Sequence, residues 1–424
     1  MYTFIDLFSG AGGLSEGFVR AGFKPISHIE MNKEACNTLV TRAAYHYLKE
    51  KGDIELYKSY LLGKISRIEF LDAIPVEVLE SVIHSEISDE SIGGIFEKID
   101  SRLTDEKRVD LIIGGPPCQA YSLVGRARDP NGMKEDPRNH LYLQYVEFLK
   151  KYKPKLFVFE NVPGIYSANN STQMSKIEKA INEAGYIIGH NKILNSKNFN
   201  VLQDRKRVII IGWSKDFEFT IPEFQPLDLP ENRGFELLYK DLPFLNNGEG
   251  LWGAQLYANK KINNYLIDSK IRNSDFEFVT QHVCRPNNPN DLEIYRIASQ
   301  KLKIEGRKLS YNELPDRLKR HKNNNAFLNR FNVVGDNILS QTVVAHIAMD
   351  GHYFIHPDTE QNRSISVREA ARIQSFPDDF FFEGSRTSAF KQIGNAVPPL
   401  MAEGIAKVIK SIFSNKSFIS NDRV

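Results

Sequence analysis

Short apolar segments alternate with segments of helical period through the first half of the chain, and this alternation restricts the folds available to it. The apolar segments end in small or acidic residues, as strands do in a sheet that is covered by helices. Residues 140–152 have helical spacing of apolar side chains directly after one such segment. The pattern therefore predicts an α/β fold with a parallel sheet. The predicted strands are Thr3–Leu7, Pro25–Ile29, Ser81–His84, Val109–Ile113, Leu156–Phe159, Tyr186–Ile188 and Val208–Gly212.

Size and cysteine content limit the class of protein. A chain of 424 residues with 41% hydrophobic residues is large enough for two domains, or for one domain with an insertion. Cys36, Cys118 and Cys284 are far apart and form no CxxC pair, so neither a disulfide framework nor a zinc site is expected. We expect a reducing cytoplasm, no signal peptide and no membrane span.

Charge and regularity change along the chain. The formal net charge is only +2, but residues 301–330 hold nine Lys/Arg against three Asp/Glu, an excess suited to phosphate contacts. After Trp213 the alternation stops, and polar residues and prolines predict a second, more irregular domain. Residues 43–80 form a charged stretch of helical character that can pack outside the core or contact a ligand.

A glycine-rich turn follows the first predicted strand. Gly10, Gly12 and Gly13 leave room for a ligand against the backbone, although their spacing departs from the GxGxxG dinucleotide fingerprint. The second strand ends in Glu30, about 20 residues later, where a carboxylate can accept hydrogen bonds from ribose hydroxyls. Together these features favour an adenosine-containing cofactor over a turn that serves packing alone.

A cysteine stands at the end of the fourth predicted strand. The preceding GGPP segment fixes the backbone and presents Cys118, whereas a cysteine that only fills the core needs no such lead-in. Glu160 and Asn161 end the neighbouring strand and are expected beside it. A thiol and a carboxylate at adjacent strand ends favour a reactive site over a cap or a simple ion pair.

The segment QDRKR precedes the last predicted strand. Alternation places Gln203, Arg205 and Arg207 on one face. The two arginines are either solvated charges or forks for a base carbonyl or a phosphate.

These motifs together resemble those of the DNA cytosine C5-methyltransferases of bacterial modification systems. The chain carries FIDLFSGAGG, Glu30, GGPPCQAYS, FENV, QDRKR, RxxARIQSFP and QIGNAVPP in the order of that family. The resemblance implies a Rossmann-like S-adenosylmethionine-dependent methyltransferase sheet with a smaller, irregular target-recognition domain inserted. The catalytic and cofactor-binding domain would be 1–214 completed by 385–424, and the recognition domain 215–384, with its variable part at about 215–323.

The resemblance implies a mechanism at cytosine. Cys118 adds to C6 as a thiolate, so that C5 can take the methyl group of S-adenosylmethionine. Glu160, with Asn161 beside it, hydrogen-bonds N3 and the amino group with a carboxyl whose pKa is raised by burial. Arg207 binds the O2 carbonyl, and Arg205 supports the thiol, the base or a phosphate. The target base must leave the duplex to reach these groups.

The family pattern also assigns the cofactor pocket. Phe8 would contact the adenine, Glu30 the ribose, and Asn395 and Val397 would return from the far end of the chain to the methionine moiety. The third motif departs from the family, because its best match supplies Glu86 in place of an aspartate. The full set implied for the cofactor is Phe8, Gly10, Gly12, Gly13, Glu30, Met31, Glu86, Pro117, Asn395 and Val397.

Double-stranded DNA is the implied partner. Residues 125–139 match the family's mobile loop, and the implied DNA contacts are Gln119, Ser122, Arg126, Arg128 and Arg138. We expect a monomer in the cytoplasm, without a membrane, whose functional partner is a cognate restriction endonuclease.

Three alternatives stay open on the sequence. An RNA cytosine C5-methyltransferase uses nearly the same motifs, although the long middle of this chain favours DNA. A nicotinamide oxidoreductase would explain the glycine turn and Glu30 but not Cys118, Glu160 or Arg207. A catalytically silent DNA-binding relative is disfavoured by the intact PPCQ and ENV segments.

Overall fold

Seven strands form one central sheet in the computed structural model, which describes residues 1–103, 108–117, 137–168, 171–227, 230, 234–320, 327–335 and 339–414. All seven predicted strands are confirmed, most of them within two or three residues at each end. Their order across the sheet is β3-β2-β1-β4-β5-β7-β6. The strands are β1 Thr3–Leu7, β2 Lys24–Glu30, β3 Val82–His84, β4 Leu111–Gly114, β5 Leu156–Asn161, β6 Tyr186–Asn195 and β7 Lys206–Ser214.

The prediction of a parallel sheet is wrong for β7. Strands β1 to β5 pair in parallel, but β7 runs antiparallel to both β5 and β6. Only residues 196–205 separate β6 from β7, and so short a connection can reverse the chain but cannot carry a parallel crossover. Strand β6 is also much longer than predicted, because it pairs along its whole length with β7.

The helices cover both faces of the sheet. On one face α1 packs against the last helix, α14, so closely that a Cβ atom on Gly17 would lie 2.4 Å from the backbone nitrogen of Glu403. On the other face α6, α7 and α8 cover the apolar side chains of β1, β4 and β5. The helices are α1 Gly13–Arg20, α2 Lys33–Lys51, α3 Glu55–Leu61, α4 Arg67–Asp72, α5 Val76–Leu79, α6 Ile92–Asp100, α7 Leu141–Tyr152, α8 Gln173–Glu183, α9 Phe235–Tyr239, α10 Asn264–Asp268, α11 Pro289–Glu305, α12 Val367–Ile373, α13 Arg386–Asn395 and α14 Pro399–Ser414.

The region after β7 is irregular, as predicted. Its strands are only two residues long and form two separate pairs, β8 with β11 and β9 with β10. Buried arginines hold this region together: Arg372 is paired with Asp241 and Asp378, and Arg363 with Glu369. The strands are β8 Gly250–Leu251, β9 Gln255–Leu256, β10 Phe278–Val279 and β11 His282–Val283.

The charged stretch 43–80 packs between the sheet and the irregular region. Tyr57 and Phe70 lie in one apolar cluster with Phe276 of the irregular region. Asp379 accepts hydrogen bonds from Arg42 at 2.8 Å and from the hydroxyl of Tyr45 at 2.8 Å. This stretch therefore braces the two parts of the chain against each other.

Part of the described positive charge in residues 301–330 is already paired. Arg307 contacts Glu305 and Glu313, and Arg317 contacts Glu293. Acidic side chains within and beside the segment thus neutralise part of the excess that the sequence displays.

None of the helices formed by the described residues combines the length and the apolar character that crossing a membrane requires.

Candidate active site

The glycine turn after β1 opens toward the carboxyl end of the sheet. A Cβ atom on Gly10 would meet no atom within 4 Å, so space lies directly against this backbone. The Glu30 carboxylate stands beside it and accepts hydrogen bonds from the backbone nitrogens of Gly10 and Asn32, both at 2.8 Å. The turn and the acid that the sequence predicts for one pocket therefore do lie together.

The other two glycines of the turn serve close packing. A Cβ atom on Gly13 would lie 2.3 Å from the carbonyl oxygen of Val397, and one on Gly12 would lie 2.7 Å from Leu39. The side chain of Val397 is buried in the cluster between the sheet and α14. Gly13 thus brings the QIGNAVPP segment against the glycine turn.

The remaining residues predicted for the cofactor lie at the same edge or close to it. Phe8 adopts a positive φ of 56°, a strained conformation of the kind found at ligand sites. Met31 and Asn395 are exposed, and Asn395 ends α13. Glu86 is exposed two residues after β3, whose last residue is paired with Glu30 in the sheet. Pro117 is half-buried after β4.

Glu160 and Arg207 form an ion pair at the ends of β5 and β7. The Arg207 Nε lies 2.8 Å from the Glu160 Oε1, and their side chains are only 11% and 14% exposed. Burial raises the pKa of the Glu160 carboxyl above its ordinary value, while the guanidiniums of Arg207 and Arg205 act in the opposite direction. The carboxyl therefore holds a proton more readily than a solvated glutamate does.

Gly115 makes room for this carboxylate, a role the sequence analysis missed. A Cβ atom on Gly115 would lie 2.4 Å from the Glu160 Oε2. Gly114 is needed for a different reason, because a Cβ atom there would lie 2.4 Å from the carbonyl oxygen of Leu7 on β1. The two consecutive glycines before the prolines are the sequence feature that could have predicted these two close contacts.

Asn161 fixes the backbone that leads to the predicted nucleophile. Its side chain is fully buried and donates to the carbonyl oxygen of Pro116 at 3.3 Å. Its own amide oxygen accepts from the backbone nitrogen of Val162 at 2.9 Å. These contacts make Asn161 a positioning residue for the Pro116–Pro117 segment.

Arg205 contacts backbone carbonyls in the described structure, and its support of the thiol, the base or a phosphate stays a prediction. Its side chain is fully buried, and it donates to the carbonyl oxygens of Val343, Gly394 and Ala396 at 2.6, 3.1 and 2.8 Å. The neighbouring Gln203 is equally buried. Of the three residues predicted on one face, only Arg207 pairs with the Glu160 carboxylate in the described contacts.

The predicted nucleophile and loop fall on residues whose structure is not described. Cys118, Gln119, Ser122, Arg126 and Arg128 lie outside the described residues. The backbone of Arg138 lies in the short helix Pro137–His140.

The other two cysteines are unsuited to nucleophilic chemistry. Cys36 is buried, and burial raises the pKa of its thiol to about 12. Cys284 is fully buried, and burial raises its pKa as well. Both sulfurs lie within hydrogen-bond distance of backbone carbonyl oxygens.

The described part of the chain contains no group of three His, Cys, Asp or Glu side chains that could hold a metal ion. His282 is held by hydrogen bonds to Ser366 and to the carbonyl oxygen of Pro243.

Known proteins match nearly the whole length of the chain. A model of the family described as C-5 cytosine-specific DNA methylase matches residues 2–75 and 77–411. A type II methyltransferase of Bacillus paralicheniformis is 41% identical over 97% of this chain and 99% of its own length. Another, from Haemophilus parahaemolyticus, is 28% identical over 98% of this chain and 88% of its own.

A solved structure supports the fold. It is a prophage-encoded protein of E. coli, described as a DNA modification methyltransferase, with a TM-score of 0.63 and 22% identity. The alignment covers 98% of this chain and 100% of that one. The fold is therefore the Rossmann-like α/β fold expected from the sequence, with its seven-stranded sheet.

The family match spans nearly all of the chain. The chain therefore belongs to the C-5 cytosine-specific DNA methylase family, as a DNA cytosine-5-methyltransferase.

Proposed function

We propose that this chain methylates C5 of a flipped-out cytosine in a specific double-stranded DNA sequence, through a covalent bond between Cys118 and C6. The observation that carries the proposal is the buried Glu160–Arg207 pair beside Gly115, at the same edge of the sheet as the open glycine turn. One edge thus offers space for a cofactor and paired groups for a base.

The residues at the glycine turn fit S-adenosylmethionine, the methyl donor of the family. Open space at Gly10 accepts a ligand against the backbone, and the Glu30 carboxylate stands at its rim with acceptor oxygens for ribose hydroxyls. Phe8, Met31, Glu86 and Asn395 would complete the pocket. When bound, the cofactor supplies an electrophilic methyl group.

Cys118 would activate the base. Its thiolate adds to C6, and the electron pair of the C5–C6 double bond becomes available at C5. After C5 has taken the methyl group, a base removes the C5 proton, the electron pair re-forms the C5–C6 double bond, and the sulfur leaves C6. Cys118 directly follows Pro116 and Pro117 in the sequence, and Asn161 donates to the carbonyl oxygen of Pro116.

Glu160 and Arg207 would stabilise the charge that develops on the ring. A carboxyl whose pKa is raised by burial can donate a proton to N3 as negative charge builds there. Arg207 would donate a hydrogen bond to the O2 carbonyl of the base while its Nε stays paired with the Glu160 carboxylate. The pairing of Arg207 with Glu160 keeps both side chains oriented before the base arrives.

The biological role would be protection of DNA in a restriction-modification system, as the names of the relatives suggest. Residues 1–214 with 385–424 would form the catalytic domain, and residues 215–384 the recognition domain. Gln119, Ser122, Arg126, Arg128 and Arg138 would contact the DNA around the flipped base, and the working form would be a cytoplasmic monomer.

Covalent trapping tests the proposal. Duplex DNA that contains 5-fluorocytosine at the target should form an SDS-stable complex with the protein in the presence of S-adenosylmethionine, because fluorine cannot leave as a proton does. Cys118→Ser should form none. Cys284→Ser is the matched control, since Cys284 is buried away from the site, and it should trap as the wild type does.

Two outcomes would contradict this function. A trapped complex with Cys118→Ser would remove Cys118 from the mechanism. Trapping on fluorinated RNA but not on DNA would assign the enzyme to RNA.

A further inference from the structure

A buried polar hub joins three parts of the chain beside the candidate active site. Its members are Gln203, Arg205 and Gln374, all fully buried. Gln203 donates to the side-chain oxygen of Gln374 at 2.8 Å and accepts from the backbone nitrogen of Val343 at 2.8 Å. The hub thus connects the residues just before β7 with the end of α12 and with the backbone at Val343.

The hub converges on the backbone around Asn395. Arg205 donates to the carbonyl oxygens of Gly394 and Ala396, the two residues that flank Asn395. Gln374 donates to the carbonyl oxygens of Ile393 at 2.6 Å and Ala396 at 3.3 Å. The side chain of Asn395 is exposed, although the backbone on both sides of it is held by buried donors.

The proposed base pocket lies at the start of β7. Arg207 follows Arg205 by two residues and pairs with Glu160. Arg205 is also close enough to Glu160 to act on its carboxyl electrostatically. The hub therefore spans the distance between the proposed base pocket and the proposed methionine pocket.

We infer that Arg205 and Gln374 are positioning residues that hold Asn395 in the cofactor pocket at a fixed place relative to Arg207. This inference rests on the proposed function, because it takes Asn395 to bind the methionine moiety. Buried, multiply bonded groups of this kind lock the side chains that contact a ligand, and small displacements of those side chains cost large factors in affinity or rate.

A purely structural role is the competing explanation, and the chain offers a matched control. Arg368 is also fully buried, and it also donates to three backbone carbonyls, those of Thr280, Pro377 and Phe380. None of these acceptors flanks Asn395. Arg368→Lys should therefore reproduce any general loss of stability that Arg205→Lys causes, without the loss of cofactor binding.

Calorimetric titration of the full-length chain with S-adenosylmethionine, well below the melting temperature of each variant, tests the inference. Asn395→Ala and Arg205→Lys should each weaken binding about tenfold. The double variant should bind the cofactor within about twofold of Asn395→Ala, because both substitutions remove the same interaction. Arg368→Lys should bind within about twofold of the wild type.

A second variant keeps the test informative if Arg205→Lys does not fold. Gln374→Met preserves length and burial but removes the donors to Ile393 and Ala396, and it should show the same non-additivity with Asn395→Ala. In these variants kcat at saturating cofactor should be closer to the wild-type value than kcat/KM for the cofactor is, since the defect lies in binding.

Several results would overturn the inference. They are wild-type affinity in Arg205→Lys or Asn395→Ala, losses that multiply in the double variant, or an equal loss in Arg368→Lys. A wild-type chain that binds no S-adenosylmethionine would instead contradict the proposed function.

Discussion

Two glycines in sequence, Gly114 and Gly115, serve two different contacts at the site. The first lets β4 approach β1, and the second leaves space for the Glu160 carboxylate. The atom nearest to a Cβ on Gly115 would be the end of a flexible side chain, the Glu160 Oε2, while the Glu160 carbonyl oxygen at 3.2 Å would have to shift by only a few tenths of an ångström. The fold can therefore accept a methyl group there, while the carboxylate cannot keep its place. Gly115 therefore controls the position of the Glu160 carboxylate more than the stability of the fold.

We predict that Gly115→Ala folds but methylates DNA at least about tenfold more slowly, because the displaced Glu160 no longer meets the base. Initial rates of tritiated methyl transfer measure this. Gly93→Ala is the control, since a Cβ atom there meets nothing within 4 Å. Equal rates for Gly115→Ala and wild type would mean that the contact has no catalytic consequence.

The raised pKa of Glu160 also makes a prediction about stability. The folded chain keeps this proton over the pH range between the unfolded pKa and the raised folded pKa, so stability falls as the pH rises through that range. Glu160→Gln removes this fall. The unfolding free energy of the variant minus that of the wild type should therefore increase from about pH 4 to about pH 7.

Urea denaturation at the two pH values measures this difference. A difference that is constant or that shrinks toward neutral pH would show that the carboxyl pKa is not raised in the folded chain.

Among the secondary-structure elements, the helices of residues 43–80 have a role that the sequence does not predict, which is to pack between the sheet and the irregular region. Periodicity predicts their helical character, but their contacts with Phe276 and Asp379 depend on the position of the irregular region in space. In the same way, alternation predicts β7 but not its antiparallel direction, because direction is set by the short connection from β6.

We predict that Asp379→Asn lowers the free energy of unfolding by about 3 kcal/mol, because it removes the charge that Arg42 and Tyr45 meet in a buried network. Asp316→Asn is the control: its side chain is 98% exposed in a pair with Lys319, and it should cost less than about 0.5 kcal/mol. Chemical denaturation compares the two. Similar small losses would argue that the network does not brace the two parts of the chain.

For the whole molecule, the sequence predicts which residues meet better than it predicts what each one does. Glu30 and the glycine turn, and Glu160 beside the GGPP segment, do lie together because parallel strands bring their carboxyl ends to one edge. Arg205 and Arg207 look equivalent in the sequence. Burial separates them, and burial depends on the return of residues 343–396 from a distant part of the chain.

Charge counts fail for a related reason. The excess in residues 301–330 is a property of composition, whereas pairing of Arg317 with Glu293 requires that α11 lie alongside. Local sequence patterns therefore cannot predict contacts between residues that are far apart in the sequence.

Bisulfite sequencing of DNA from cells that express the chain tests the methylation of cytosine in DNA most directly. In cells with the wild-type chain, cytosine at one position of one short sequence should resist conversion. In cells with Cys118→Ser, the cytosine of that sequence should be converted. Complete conversion with the wild type, or the same protected sequence with Cys118→Ser, would contradict the assignment of a Cys118-dependent cytosine C5-methyltransferase.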